Sequence, residues 1–150
     1  MKKFMQKKLN QKGLTLVELL AVIVILGIIA AIAVPAIGNI ITNSKVNALK
    51  ADGQNILAAA QMYFTENGSK DGVDVTQKTL TDDGFLEDAG GFAGTEAVAA
   101  TVNKTAKGNT ITGTATNKGI KVAFNKAPAS DINKVGTKND SSVTTITITR

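Results

Sequence analysis

The sequence predicts an α+β chain: a long N-terminal helix, with a membrane half and an amphipathic half, packed on a small antiparallel sheet. Three observations predict it. From Leu19 to Ser44, 26 residues pass without an Asp, Glu, Lys or Arg. From Val46 to Phe64, apolar residues recur mostly at spacings of three and four, the period of one helix face. After Gly68 the composition turns to Gly, Thr, Asp and Asn, broken by short runs that alternate apolar and polar side chains.

The elements follow in chain order. Lys2, Lys3, Lys7, Lys8 and Lys12 place five positive charges ahead of the apolar run. The strictly apolar part, Leu19 to Gly38, has 20 residues. As a helix it spans roughly 30 Å, the thickness of a bilayer's hydrocarbon core. Gly27, Ala30, Ala31, Ala33, Ala36 and Gly38 are small, and small residues let helix backbones approach closely where hydrophobicity cannot drive association. Pro35 removes one helix hydrogen bond and predicts a kink or local loosening there. The helix is expected to continue beyond it, with Val46, Leu49, Gly53, Ile56, Leu57, Ala60, Tyr63 and Phe64 on one face. Lys45, Lys50, Asp52, Gln54 and Gln61 fall mostly elsewhere. Asn67-Gly68 is the stop signal.

The remainder reads as loop over 69–79, then a turn or short helix over Thr79–Leu86, whose Leu80, Phe85 and Leu86 dock on the amphipathic helix. Strands are expected at Ala97–Val102, Thr110–Thr116, Ile120–Asn125 and Val143–Thr149. Asn117-Lys118-Gly119 forms a hairpin turn, and in the last strand either Thr144, Ile146 and Ile148 face inward or the strand is an edge with a polar rim. Ala127-Pro128-Ala129 and Gly136–Ser142 read as loops.

One acid breaks the apolar pattern. Glu18 lies at the mouth of the run, and a carboxylate deep in a membrane helix costs about 2.5–3.5 kcal/mol on insertion scales, so such residues are usually functional. If the chain is cut between Gly13 and Leu14, Leu14 gains a charged amine one helical turn before Glu18. An acid in the first turn also meets the positive end of the helix dipole. The amine can then be neutralised by its own Glu18 or by a neighbour's.

Lys12-Gly13 followed by Leu14-Thr15-Leu16-Val17-Glu18 and a long apolar helix resembles the class III signal of type IV pilins and pseudopilins. The resemblance covers about residues 8–40. It implies a type IV pilin-like fold, cleavage after Gly13 by a membrane aspartyl prepilin peptidase, and N-methylation of Leu14. Thr15 belongs to the same motif. Glu18 would pair with the amine of an adjacent subunit, and the helix between Gly27 and Pro35 would loosen on assembly. Leu14 departs from the Phe common at that position. The domains expected are a cleaved leader at 1–13, a transmembrane and filament-core helix at 14–44, and a head at 45–150, with its helix at 45–67 and its loops and strands at 68–150. The expected partners are further copies of the chain in a helical filament, the peptidase, a membrane platform and an assembly ATPase. The precursor would be a single-pass protein of the cytoplasmic membrane, N-terminus inside, and the product an extracellular pilus. Absence of Cys excludes the disulfide common in Gram-negative pilins. With the Leu and Gly-aromatic-Leu segment, it leans the resemblance toward a major pilin of Gram-positive bacteria.

Composition excludes other classes. The formal charge of +5 comes from the leader: without its five lysines, 12 basic side chains face 12 acidic ones. Direct nucleic-acid binding is not expected. With no Cys and no His, thiolate and imidazole chemistry is excluded, and neither a catalytic site nor a cofactor is expected. Asp71, Asp74, Asp82, Asp83, Glu87 and Asp88 form an acidic stretch without EF-hand spacing, read as solvated loop acids rather than a calcium site. Asn103-Lys104-Thr105 and Asn139-Asp140-Ser141 match the glycosylation pattern at about chance frequency. Three rivals remain. A pseudopilin shares every motif. A plain membrane-anchored protein would be indifferent to Glu18. A soluble protein would be cut by ordinary signal peptidase at Ala31-Ile32-Ala33 and start at Val34.

Overall fold

The computed structural model describes residues 2–93, 99–139 and 145–150, with the backbone alone for residues 2–14. Its elements are α1 (Lys2–Glu66), β1 (Asp74–Thr76), α2 (Gln77–Asp82), a 3-10 turn (Gly90–Phe92), β2 (Thr101–Asn103), β3 (Thr110–Asn117), β4 (Ile120–Pro128), α3 (Ala129–Lys134) and β5 (Ile146–Thr149). The chain divides into two compact units, residues 1–41 and 42–150.

Helix α1 is longer than the sequence suggested, because its first turns lie in the lysine-rich leader, whose residues are good helix formers. It passes Gly27 and Pro35 without interruption. In the first unit the large aliphatic side chains from Leu16 to Ile41 are 50–70% exposed. In the second unit the amphipathic reading holds. Val46, Leu49, Ile56, Leu57, Ala60 and Phe64 are buried, and Tyr63 is half-buried against them. The helix stops as Asn67-Gly68 predicts. Gly68 takes φ +57°, and Ser69 N–H donates to the Phe64 carbonyl at 3.0 Å. This 6→1 bond satisfies a terminal carbonyl with a glycine that bears no Cβ penalty.

The sheet has five strands, where three or four were expected, in the order β1-β2-β3-β4-β5, all antiparallel. Its buried face (Val75, Val102, Ile111, Ala115, Val122, Phe124, Ile146 and Ile148) meets the buried face of α1 in one core. Lys118 and Gly119, at φ 45° and 88°, form a two-residue hairpin between the paired Asn117 and Ile120. Positive φ at both positions matches the right-handed twist of the flanking strands. Ile146 and Ile148 face inward as read, and Thr144 lies outside the described residues. So do Ala97 and Val98 of the strand expected at Ala97–Val102, whose observed part is β2.

Three readings are corrected. The loop at 69–79 contains β1 and the start of α2. Thr76 caps that helix, its hydroxyl accepting from Thr79 N–H at 3.1 Å. Ala127 and Pro128 belong to β4, not to a loop, paired with Ile111 and Thr110. A register shift between Ile111 and Gly113 carries the strands past the irregularity, where Lys126 takes φ 50° and its N–H turns to the Thr112 hydroxyl. Ala129 opens α3 rather than a loop, with Pro128 as its N-cap and Ile132 buried. Helix α2 does fall in the segment expected as a turn or short helix. Leu80 and Leu86 are buried, and the Phe85 ring meets Tyr63 edge-on at 5.4 Å.

Candidate assembly site

All the motif residues lie on α1. The Gly13–Leu14 bond sits within continuous helical backbone, eleven residues past the first residue of the helix at Lys2. In the intact chain Leu14 N–H is therefore a neutral helix amide and carries no charge. Glu18 follows four residues later, on an exposed part of the surface, at a rise of about 6 Å. Thr15 lies in the turn between them. A free amine at Leu14 would stand in the first turn of a shortened helix whose acid sits one turn on.

The exposed aliphatic surface begins at Leu16 and Val17 and runs on beyond Glu18. This stretch is long and apolar enough to cross a membrane. Exposure on this scale is far above what an isolated soluble protein tolerates, so the surface requires lipid or another chain against it. Added Cβ atoms at Gly27 or Gly38 would meet nothing within 4 Å inside the chain. Any need for a small side chain there arises from outside the molecule. Pro35 leaves the carbonyl one turn before it, that of Ala31, without its helical donor.

The second unit contributes features the sequence did not flag. Asp52, assigned to the outer face of α1, reaches back to the 3-10 turn: its Oδ2 accepts the Gly91 N–H at 2.8 Å. Gly90 is at φ +55°, and a Cβ there would lie 2.4–2.6 Å from the Asp52 carboxyl group. A Cβ on Gly91 would lie 2.2 Å from Leu49 Cδ2. The Gly-Gly pair thus lets this turn press onto the helix and bury Phe92, whose ring lies 5.6 Å from that of Phe124. At the other end of the helix segment, the Arg150 guanidinium donates to Asn43 Oδ1 at 3.1 Å and to the Thr137 carbonyl. Lys50 donates to the Val135 carbonyl, and burial lowers its pKa from the ordinary lysine value. Asn139 holds the free edge of β5, giving to Ile148 O at 3.0 Å and accepting from Ile148 N–H at 2.5 Å. Paired Gly residues and a lone Asn were the only sequence signals for these contacts, and neither says what it touches.

The acidic stretch does not converge. Asp71, Asp74, Asp82, Asp83, Glu87 and Asp88 are all exposed, and among the described residues no three carboxylates gather as a metal would require. Asn103 donates to Asp74 at 2.6 Å, so both glycosylation-pattern asparagines have their amides engaged.

The first unit is thus an exposed apolar helix with an acid near its start, and the second a helix packed on an antiparallel sheet. Residues 8–34 match the family model described as the prokaryotic N-terminal methylation motif. The chain is 43% identical over 63 residues to the type II secretion system core protein G of Pseudomonas aeruginosa, covering 42% of this chain and 44% of that protein. It is 36% identical over 90 residues to a type IV major fimbrial protein FimA of Dichelobacter nodosus, covering 60% of this chain and 56% of that one. A second FimA of that organism is 36% identical over 93 residues, 60% of this chain and 55% of that one. The chain thus spans about half the length of the curated relatives it matches. No solved structure matches. Over its N-terminal part the chain is similar to type IV fimbrial and type II secretion core proteins.

Proposed function

We propose that the chain is the structural subunit of a type IV pilus. It is cut after Gly13, methylated on Leu14 and polymerised through the apolar half of α1. The observation that carries this reading is the pairing of a bare aliphatic helix surface with one acid, Glu18, four residues after the motif's cleavage point. In the membrane, lipid covers that surface. In a filament, the same surface of neighbouring helices replaces the lipid, so extraction costs little apolar exposure. Glu18 then sets the register. A carboxylate buried without a partner is strongly unfavourable, and the Leu14 amine of an adjacent subunit supplies the counter-charge. The small residues let the helices approach, and the backbone between Gly27 and Pro35, continuous helix in the single chain, loosens on assembly.

The test is the intact mass and N-terminal residue of protein sheared from cells, compared between the wild-type chain and Glu18→Ala. The expected product starts at Leu14 with one added methyl group, and Glu18→Ala is cut as well but yields few filaments. Normal filaments from Glu18→Ala would remove the pairing role. A product starting at Met1 or Val34 would overturn the proposal itself. The likeness to a type II secretion core protein favours one second reading, a pseudopilin forming a short fibre within a secretion or competence system. Long surface filaments seen by electron microscopy separate the two.

A further inference from the structure

Within the second unit α1 serves as a ruler. Gln54 donates to Asn133 at 2.5 Å, Lys50 to the Val135 carbonyl, and Arg150 to Asn43 at 3.1 Å. The chain after α3 therefore runs down α1 toward Asn43, and the Arg150 guanidinium, which also donates to the Thr137 carbonyl, closes that end. There Lys138 and Arg150 line one open recess with Thr147 and Thr149, and Lys121 is the cross-strand partner of Thr149. Lys45, two residues after Asn43, is half-buried, and the other three cations are exposed.

What sets this end apart is its lack of acids. Lysines occur elsewhere too: Lys70, Lys78 and Lys104 stand among the acids at the far end, where Lys104 donates to the Ser69 carbonyl and Lys78 pairs with Asp82 at 2.5 Å. On α1, however, no Asp or Glu occurs between Glu18 and Asp52, and Asp52 is held by the Gly91 N–H. Asp131 lies on α3, beside Gln54, and accepts from the Thr145 hydroxyl at 2.7 Å. Gln54 is roughly 16 Å along the helix from Asn43. Among the described residues, 117–121, 135–139 and 145–150 carry no acidic side chain; Glu96 and Asp140 lie outside them. The exposed aliphatic surface ends at Ile41. Two peptide links hold Asn43 within about 8 Å of Ile41, whatever angle the two units take. The headgroup layer on each side of a bilayer is roughly 5–8 Å thick. With Ile41 at the edge of the hydrocarbon, Asn43 and the guanidinium bonded to it stand among headgroups.

We infer that in the membrane-held chain Lys45, Lys121, Lys138 and Arg150 bind the phosphates of anionic lipids. The inference rests on the membrane-inserted precursor of the reading above and adds a second attachment to it, that of the head. The guanidinium fork takes two phosphate oxygens at once, and the lysines act as point charges. Extraction of the subunit then has to break these contacts as well as empty the lipid around α1.

The test places the full-length chain in vesicles of phosphatidylcholine alone or of phosphatidylcholine mixed equally with phosphatidylglycerol. A membrane-impermeant amine reagent then labels the lysines of outward heads, read residue by residue by mass spectrometry. Lys121 and Lys138 are expected to label about fivefold more slowly in the anionic vesicles. Lys70 and Lys107, exposed at the far end, are expected to label equally in both, and high salt to abolish the difference. Arg150→Gln is expected to lose part of the protection at Lys138. Lys45→Gln, which leaves the bonds of Arg150 in place, is expected to do the same. Equal labelling of Lys121 and Lys138 in the two vesicles, or equal protection at both ends, would overturn the contact. So would protection in neutral vesicles on adding inorganic phosphate, which would mark a site for a soluble anion. A chain stripped from the vesicles by alkaline washing would instead overturn the membrane-held reading, and this contact with it.

Discussion

Asp52 and Gly90 compete for one volume, and that competition can be measured as a coupling energy. The Asp52 carboxylate accepts the Gly91 N–H at 2.8 Å, and it occupies the place that a Cβ on Gly90 would take. Asp52→Ala loses a charge-assisted hydrogen bond to a half-buried amide, about 1.5 kcal/mol, and regains roughly 0.6 kcal/mol of helix propensity, a net cost of about 1 kcal/mol. Gly90→Ala must hold φ +55°, at about 1.5 kcal/mol, and must also expel the carboxylate from its bond, at about another 1.5 kcal/mol. In the double variant no carboxylate remains to be expelled. Its cost should therefore fall below the sum of the singles by about 1.5 kcal/mol. The assay is urea unfolding of the detergent-solubilised chain followed through Tyr63. This is the only Tyr in a chain without Trp, and its ring packs edge-on to Phe64 and Phe85. Additivity within about 0.5 kcal/mol would refute the shared-volume argument.

Two further outcomes follow from the same unit. Asn139→Ala should cost about 1 kcal/mol and speed amide hydrogen exchange at Ile148 more than at Ile146; equal protection in both proteins would show that the side chain does not hold this edge. Lys50 has a folded-state pKa lowered by burial, so the unfolded chain binds more protons in the window between that value and the ordinary 10.5. Stability therefore rises with pH through that window and levels off above it. Lys50→Met should remove this rise, and an unchanged pH profile in unfolding experiments would contradict it.

The long helix was legible because its signals are local. Twenty apolar residues in a row and a three-and-four spacing need no knowledge of the rest of the chain, and Gly68 ends the helix through its own backbone. The motif around Gly13, Leu14 and Glu18 is equally local. The sheet was half legible. The hairpin of β3 and β4 announces itself through Lys118-Gly119, and β5 through its alternating Thr and Ile. Strand β1 escaped because Asp74-Val75-Thr76 offers one apolar residue, and it becomes a strand only by pairing with Thr101–Asn103. Ala127-Pro128 read as a loop because proline disfavours strands. It is tolerated here at the last residue of β4, where it also caps α3. Asp52 is the clearest case. Periodicity placed it outside the core face, and only the fold brings Gly91, 39 residues later, against it.

The strand order has a consequence for how the head comes into being. Each strand pairs only with its predecessor and successor in sequence, so the sheet contains no crossover and no strand waits for a distant partner. A head that emerges in chain order presents the amphipathic part of α1 first, then β1, β2, β3 and β4, with β5 last. Each arriving strand finds its neighbour already present and closes a loop no longer than the segment between them. The longest of these is the stretch 77–100 between β1 and β2. Loop-closure entropy grows only slowly with such lengths, and local pairing favours fast folding. The head can therefore zip up in the order of delivery, with β5 and Arg150 closing the unit back onto Asn43 at its start.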